Sequence, residues 1–225
     1  MEKCLTGLII CSGKIEDYVF YSKYIKEADI VICVDGGASH ARKMEIKPHL
    51  LLGDFDSIKK EDYNYFSNMG IDIKKFPGEK DETDTELAVE YAMSMGCLKV
   101  TVIGGMGTRF DHTLANVFLL KKMLEKGVEG WIVNEYNQIT LINDSINIKK
   151  EQGIKVSLLP LSDTVYGINT SGLYYPLHNA KMEIGPTRGI SNEFDYAEVS
   201  CTSDASNYAE ISIKVGLLLV ILAKD

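Results

Sequence analysis

A change of rhythm near residue 135 limits what this chain can fold into more than any other feature of its sequence. Before it, short β-rich apolar runs at 5–11, 30–34, 50–52, 71–76, 100–103 and 130–133 alternate with longer amphipathic segments at 38–44, 59–68, 84–95 and 112–125. Such alternation predicts an α/β fold with an open, largely parallel sheet and flanking helices. In the third amphipathic segment Leu87, Tyr91 and Met95 recur every fourth residue, with Ala88 and Ala92 beside them, and predict one apolar stripe. After Glu135 the runs shorten and alternate apolar with polar residues, at 138–142, 155–159, 164–168, 197–201 and 209–215. Gly, Asn, Asp and Ser punctuate them at intervals near those of an antiparallel sandwich or barrel. The expectation is an α/β domain over 1–135 followed by a smaller all-β domain over 136–225, with no flexible linker between them.

Charge and cysteine usage narrow the function. A net charge of -8 argues against a general nucleic-acid binder, because phosphate backbones attract faces rich in Lys and Arg. It suits a cationic ligand, or an anionic one that arrives with a metal. The five cysteines are odd in number and far apart, without a C-x-x-C pair. Three lie in apolar runs and read as small core residues, which places the chain in a reducing, cytoplasmic setting. The apolar run at 5–11 follows a lysine but lacks a small-residue cleavage site, so it reads as a buried strand and not a leader. The seven apolar residues at 217–223 fall far short of the ~20 needed to span a bilayer and read as a last core strand.

Acidic residues recur where predicted strands end. Val34-Asp35-Gly36-Gly37 closes one run, and Gly53-Asp54-Phe55-Asp56-Ser57 closes the next. Strand C-termini of open parallel sheets are where ligands bind. Asp54 and Asp56 are two apart, so an extended chain would point both the same way. Paired carboxylates repel unless a cation joins them, and oxygen-rich sites suit magnesium. The ordinary alternative is that such aspartates cap helices or make turns. In Lys80-Asp81-Glu82-Thr83-Asp84-Thr85-Glu86, Asp81 and Asp84 would share one face of a first helical turn. There Thr83-x-x-Glu86 is equally a capping box, although Lys80 adds the cation that a phosphate would need.

Gly104-Gly105-Met106-Gly107-Thr108-Arg109-Phe110-Asp111-His112 follows a strand and opens a helix. Glycines admit a ligand close to the backbone, a helix start offers free N–H groups, and Arg109 can clamp phosphate oxygens. Neither G-x-G-x-x-G nor the P-loop motif is present, so this is neither a standard dinucleotide binder nor a P-loop enzyme. Asp111 reads equally as an N-cap, and His112 at a helix start is more often structural than catalytic. In the second part, Ser191 and Asn192 lie in the polar stretch 185–194, where they can bond a small heterocycle or simply form a turn. Tyr174-Tyr175-Pro176-Leu177 reads better as a core strand than as an aromatic wall.

Taken in order, the segments around Asp35, Asp54–Asp56, Lys80–Asp84 and Gly104–His112 resemble thiamine pyrophosphokinase. Gly172-Leu173-x-Tyr175-Pro176-Leu177 and Gly189-x-Ser191-Asn192-Glu193 are similar to the bacterial form of that family. The resemblance implies an α/β nucleotide domain, a β-sandwich domain over 136–225, and a homodimer that moves the terminal pyrophosphoryl group of ATP to the hydroxyl of thiamine and releases AMP. It implies magnesium held by Asp54, Asp56 and Asp84, with Asp35, Lys80, Asp81 and Thr83 along the phosphates and ribose. Arg109 would steady charge on phosphate, Asp111 and His112 would complete the pocket, and Ser191 and Asn192 would contact thiamine. Catalysis would thus fall to Asp56, Asp84, Arg109 and Asp111, mostly by positioning and charge neutralisation. Animal members are similar but carry a tryptophan near the thiamine-contacting serine. Here the single Trp, Trp131, lies on a predicted strand of the first part, so Tyr175 and Phe194 become the candidates for stacking. Ser12-Gly13-Lys14 matches the family's opening glycine loop only loosely and receives no role.

Two other readings compete. The run ending in Asp54-Phe55-Asp56 resembles the D-x-D strand of haloacid-dehalogenase-type phosphatases, but the later strand ends in Gly104-Gly105-Met106-Gly107 instead of G-D-x-x-x-D. A thiamine or nucleotide sensor without turnover would have lost a metal carboxylate or Arg109, and all are present. Neither nucleic acid nor membrane is an expected partner.

Overall fold

The apolar runs of the first 135 residues form strands buried almost end to end, as parallel strands covered on both faces must be. The computed structural model describes residues 4–196 and 207–224, and the chain divides into two units, Met1–Glu135 and Tyr136–Asp225. In the first unit the elements run β1 (Leu5–Ile10), α1 (Ser22–Glu27), β2 (Ile30–Val34), α2 (Gly37–Lys43), β3 (Leu50–Gly53), α3 (Lys60–Asn68), β4 (Asp72–Lys75), α4 (Asp84–Ser94), β5 (Cys97–Ile103), α5 (Phe110–Glu125) and β6 (Glu129–Val133). All pairings among these strands are parallel, in the order β6-β5-β1-β2-β3-β4. From β1 the chain winds outward to β4, then returns to β5 on the other side. The strand order therefore reverses between β1 and β5, and an open crevice lies at their C-terminal ends.

Two of the helices cover the sheet by faces of small residues, α2 by Gly37, Ala38 and Ala41. Helix α4 lies over β1, β2, β3 and β5 and buries Ala88, Val89 and Ala92. Of the expected stripe, Ala88 and Ala92 are buried, whereas Met95 at its end is exposed. Alanines let the helix approach closely, since a Cβ added at Gly7 of β1 would stand 3.4 Å from Ala92 Cβ. Tyr91 instead lies under Lys74, whose Nζ is 4.2 Å from the ring centroid. Helix α1 was not predicted. It follows a turn in which Asp17 Oδ1 accepts from the N–H groups of Val19 and Phe20. Strand β4 ends the order and leaves Asp72, Lys74 and Lys75 exposed.

The second unit is all β: β7 (Asn137–Ile142), β8 (Ser145–Lys149), β9 (Ile154–Pro160), β10 (Thr164–Ser171), β11 (Ala180–Glu183), β12 (Asn192–Glu193), β13 (Tyr208–Ser212) and β14 (Leu218–Lys224). They form two antiparallel sheets, β12-β9-β14-β7 and β11-β10-β13-β8, as expected of a sandwich. Burial alternates along β10 and β13, so each shows one face to the core and one to water. The predicted strand at 197–201 lies outside the described residues. Strands β8, β11 and β12 were not predicted. Tyr174 and Tyr175 do not belong to a core strand, because they are 63% and 65% exposed. Among the described residues no helix is long and apolar enough to cross a membrane.

Candidate functional site

Where the strand order reverses, the loops after β1 and β5 interlock. Cys11 donates its N–H to Ile103 O, and Gly13 donates to Gly104 O, both at 2.9 Å. Side chains are excluded at this seam: a Cβ on Gly13 would come within 2.3 Å of Gly104 O, and one on Gly104 within 2.5 Å of Cys11 O. Gly104 also has φ +64°, which favours glycine. Buried Asn116 of α5 donates Nδ2–H to Gly105 O at 2.7 Å, and Thr113 Oγ1 accepts from Gly107 N at 3.2 Å, so the helix holds the glycine loop in shape. Above this floor opens a cavity of about 540 Å³.

Three carboxylates from separate segments meet in that cavity. Asp35 follows β2, Asp54 follows β3, and Asp84 opens α4; each offers an oxygen within 4.8 Å of the other two. The turn that brings them together uses unusual backbone. Asp35 has φ 44° and Phe55 φ 66°, and Phe55 donates its N–H to Asp35 Oδ1 at 3.0 Å while its ring packs edge-on against Tyr63. The chain is consequently not extended through Asp54-Phe55-Asp56, so the extended geometry expected to aim both carboxylates is absent, although both line the cavity. Asp56 instead donates its N–H to Asp54 Oδ1 at 2.9 Å. Its side chain is exposed and lines the cavity outside the trio, whereas Asp35 stands inside it.

Burial and the nearby carboxylates of Asp84 and Asp54 push the Asp35 carboxyl from its ordinary 3.8 up to about 7, against the lowering effect of the Phe55 N–H. Three crowded carboxylates are the donor set whose mutual repulsion a hard divalent cation relieves. Lys80 already neutralises part of this charge: its Nζ lies 2.8 Å from Asp84 Oδ1 and 2.9 Å from Pro77 O.

Most of the other predicted residues reach the same cavity. Thr83, Arg109 and His112 line it; Asp81 and Asp111 do not. Thr83 caps α4 by accepting from Glu86 N at 3.1 Å, while the Glu86 carboxylate turns to Lys122 at 2.7 Å, so only half of a capping box forms. Asp111 is not an N-cap; Arg109 holds that place in α5. The Arg109 guanidinium grips Asp111 through Nη2–Oδ2 at 2.6 Å and Nε–Oδ1 at 3.3 Å, which brings the Asp111 carboxyl down to about 2. Ser12 and Gly13, which received no role from the sequence, also line the cavity, as do Thr85 and Asn116, which the sequence did not single out. Only Ser12-Gly13, directly after an apolar run, carried a signal.

The second unit holds a separate cavity of about 320 Å³, lined by Tyr175, Arg188, Ser191 and Asn192 among others. Asn192 is buried and its amide is committed: Oδ1 accepts from Tyr175 N at 3.0 Å, and Nδ2 donates to Tyr175 O at 2.8 Å. It braces the loop that carries Tyr175. Ser191, at φ 58°, donates its N–H to Ser157 Oγ at 2.9 Å and leaves its side chain exposed. Of the two stacking candidates, Phe194 is buried and bridges Leu173, while Tyr175 is exposed at the cavity. Trp131 lies on β6 and packs against the core of the first unit.

Comparison with known proteins matches both units. The family model "Thiamin pyrophosphokinase, catalytic domain" matches residues 21–132, and "Thiamin pyrophosphokinase, vitamin B1 binding domain" matches residues 144–206. The chain is 27% identical over 204 residues to the thiamine pyrophosphokinase of Bacillus subtilis (strain 168), which covers 90% of this chain and 91% of that one. The crystal structure of the Bacillus subtilis thiamine pyrophosphokinase superposes with a TM-score of 0.84 at 25% identity, covering 98% of this chain and 99% of that chain. That of the Geobacillus thermodenitrificans protein gives 0.80 at 28% identity, covering 98% of each.

Proposed function

The chain belongs to the thiamin pyrophosphokinase family, and from that membership we propose how its residues divide the work of moving a pyrophosphoryl group from ATP to thiamine. The phosphatase and the sensor readings are not favoured by these relatives. In the reaction the hydroxyl oxygen of thiamine bonds to the β-phosphorus, the bond from that phosphorus to the α-phosphate oxygen breaks, and AMP leaves. The protein has little covalent work to do in such a transfer; it must position the groups and balance charge.

The observation that carries the assignment is the convergence of Asp35, Asp54 and Asp84 in a cavity floored by the glycine loop. Asp54 and Asp84 would hold magnesium, with Asp35 as the third carboxylate of the cluster and Asp56 reaching in from the lining. When bound, magnesium supplies positive charge to the polyphosphate. Lys80 and Arg109 take up the remaining negative charge, and Thr83 and His112 line the nucleotide. Arg109 is held ready by Asp111, which orients the guanidinium. Ser191 offers its hydroxyl to thiamine while Asn192 braces Tyr175 as an aromatic wall. A permanent positive charge on thiamine suits an acidic protein. The family likeness further supports a homodimer, and the unpaired, buried cysteines Cys11, Cys33 and Cys97 accord with a cytoplasmic setting.

The test is direct. Incubated with ATP, thiamine and magnesium, the protein should release AMP and thiamine diphosphate, and excess chelator should stop it. Release of free phosphate without AMP would overturn the assignment.

A further inference from the structure

His40 has no part in the scheme above, yet it reaches the cavity floor from below. It sits on α2 with Nε2 2.8 Å from Gly13 O and Nδ1 2.9 Å from the Tyr18 hydroxyl. A carbonyl oxygen only accepts, so Nε2 carries the hydrogen, and Nδ1 accepts the Tyr18 O–H. Burial first, and then the charge of Lys43, hold the imidazole below its ordinary pKa and favour the neutral ring. Gly13 is thereby held from both sides, its N–H by Gly104 and its C=O by His40. It has no side chain of its own to fix it, and the space where one would sit is filled by Gly104 O.

We propose that His40 is a positioning residue for the nucleotide: with its Nδ1 held by the Tyr18 hydroxyl, it fixes the Gly13 peptide and so the floor against which MgATP lies. The inference rests on the cavity's being the ATP site. His40 touches no reacting atom; it acts through Gly13. Without its donor, the Gly13 carbonyl is free to turn into the cavity, where an oxygen repels phosphate. Glutamine can present an N–H to the same carbonyl, so His40→Gln separates positioning from mere packing.

The experiment titrates MgATP into the full chain by calorimetry and measures AMP release at varied ATP and thiamine, for the wild type, His40→Ala, His40→Gln and Tyr18→Phe. His40→Ala should raise both Kd and KM for MgATP about tenfold, the size expected when a carbonyl loses its donor, and leave KM for thiamine unchanged. His40→Gln should recover MgATP affinity to within about threefold of wild type, and Tyr18→Phe should weaken it about threefold. MgATP binding by His40→Ala at wild-type strength overturns the proposal, as does a His40→Gln no better than His40→Ala. If His40→Ala does not fold, Tyr18→Phe decides, and wild-type affinity there overturns it. A wild type that binds MgATP but yields no AMP with thiamine sinks the proposed reaction and leaves His40's role standing. A wild type that binds no MgATP sinks both.

Discussion

Replacing Asp35 by Asn should make the metal-free protein more stable, because it removes a charge that two neighbours oppose. The folded Asp35 carboxyl keeps its proton to about pH 7, against an ordinary 3.8. Between these values the folded state binds more protons than the unfolded one, so the wild type loses stability as pH rises from about 4 through about 7. The shift corresponds to at most about 4 kcal/mol, and partial exposure brings it to about 1–2 kcal/mol. Asn is nearly isosteric and fits beside Gly53, where Asp35 Oδ1 already occupies the space a Cβ would need. Thermal melts in chelator should therefore place Asp35→Asn about 2–6 °C above wild type at pH 8, a gap that shrinks as pH falls toward 4. Magnesium should reverse the order, raising the wild-type melting temperature at pH 8 and scarcely moving the variant. A variant that melts below wild type at pH 8 in chelator, or by the same margin at every pH, would refute the repulsion reasoning.

Asp56→Asn should keep the fold, since the side chain is exposed, and lower AMP formation roughly 10³-fold; wild-type turnover would contradict the metal role proposed for it. Asn192→Ala should cost about 2–3 kcal/mol in urea unfolding, because it strands both backbone groups of Tyr175. A loss under about 0.5 kcal/mol would show that the brace does not matter.

The strands of the first unit were legible because burial on both faces leaves a sequence few choices besides Val, Ile and Leu, as in residues 30–34 and 50–52. Strands β8, β11 and β12 were not, because short strands rich in Asn, Lys and Glu exist by virtue of the strand they pair with. Within the candidate site, the strand ends announced which acidic segments approach the crevice. Which carboxylates meet there depends on Phe55 adopting a left-handed conformation, which an aromatic residue rarely does and a sequence does not advertise. The fit of Gly13 against Gly104 was hidden for another reason: the two lie on opposite sides of the strand-order reversal, some ninety residues apart, and their contact is a property of topology.

Strand β4 closes one side of the parallel sheet, and an outermost strand leaves half of its peptide groups without a ladder partner. That open rim would template a foreign strand if it were flat and greasy. Here Asp72, Lys74 and Lys75 stand along it in water, so an incoming chain would have to strip hydration from charges at nearly every step. The same few exposed charges thus guard the molecule against edge-to-edge polymerisation when it is crowded.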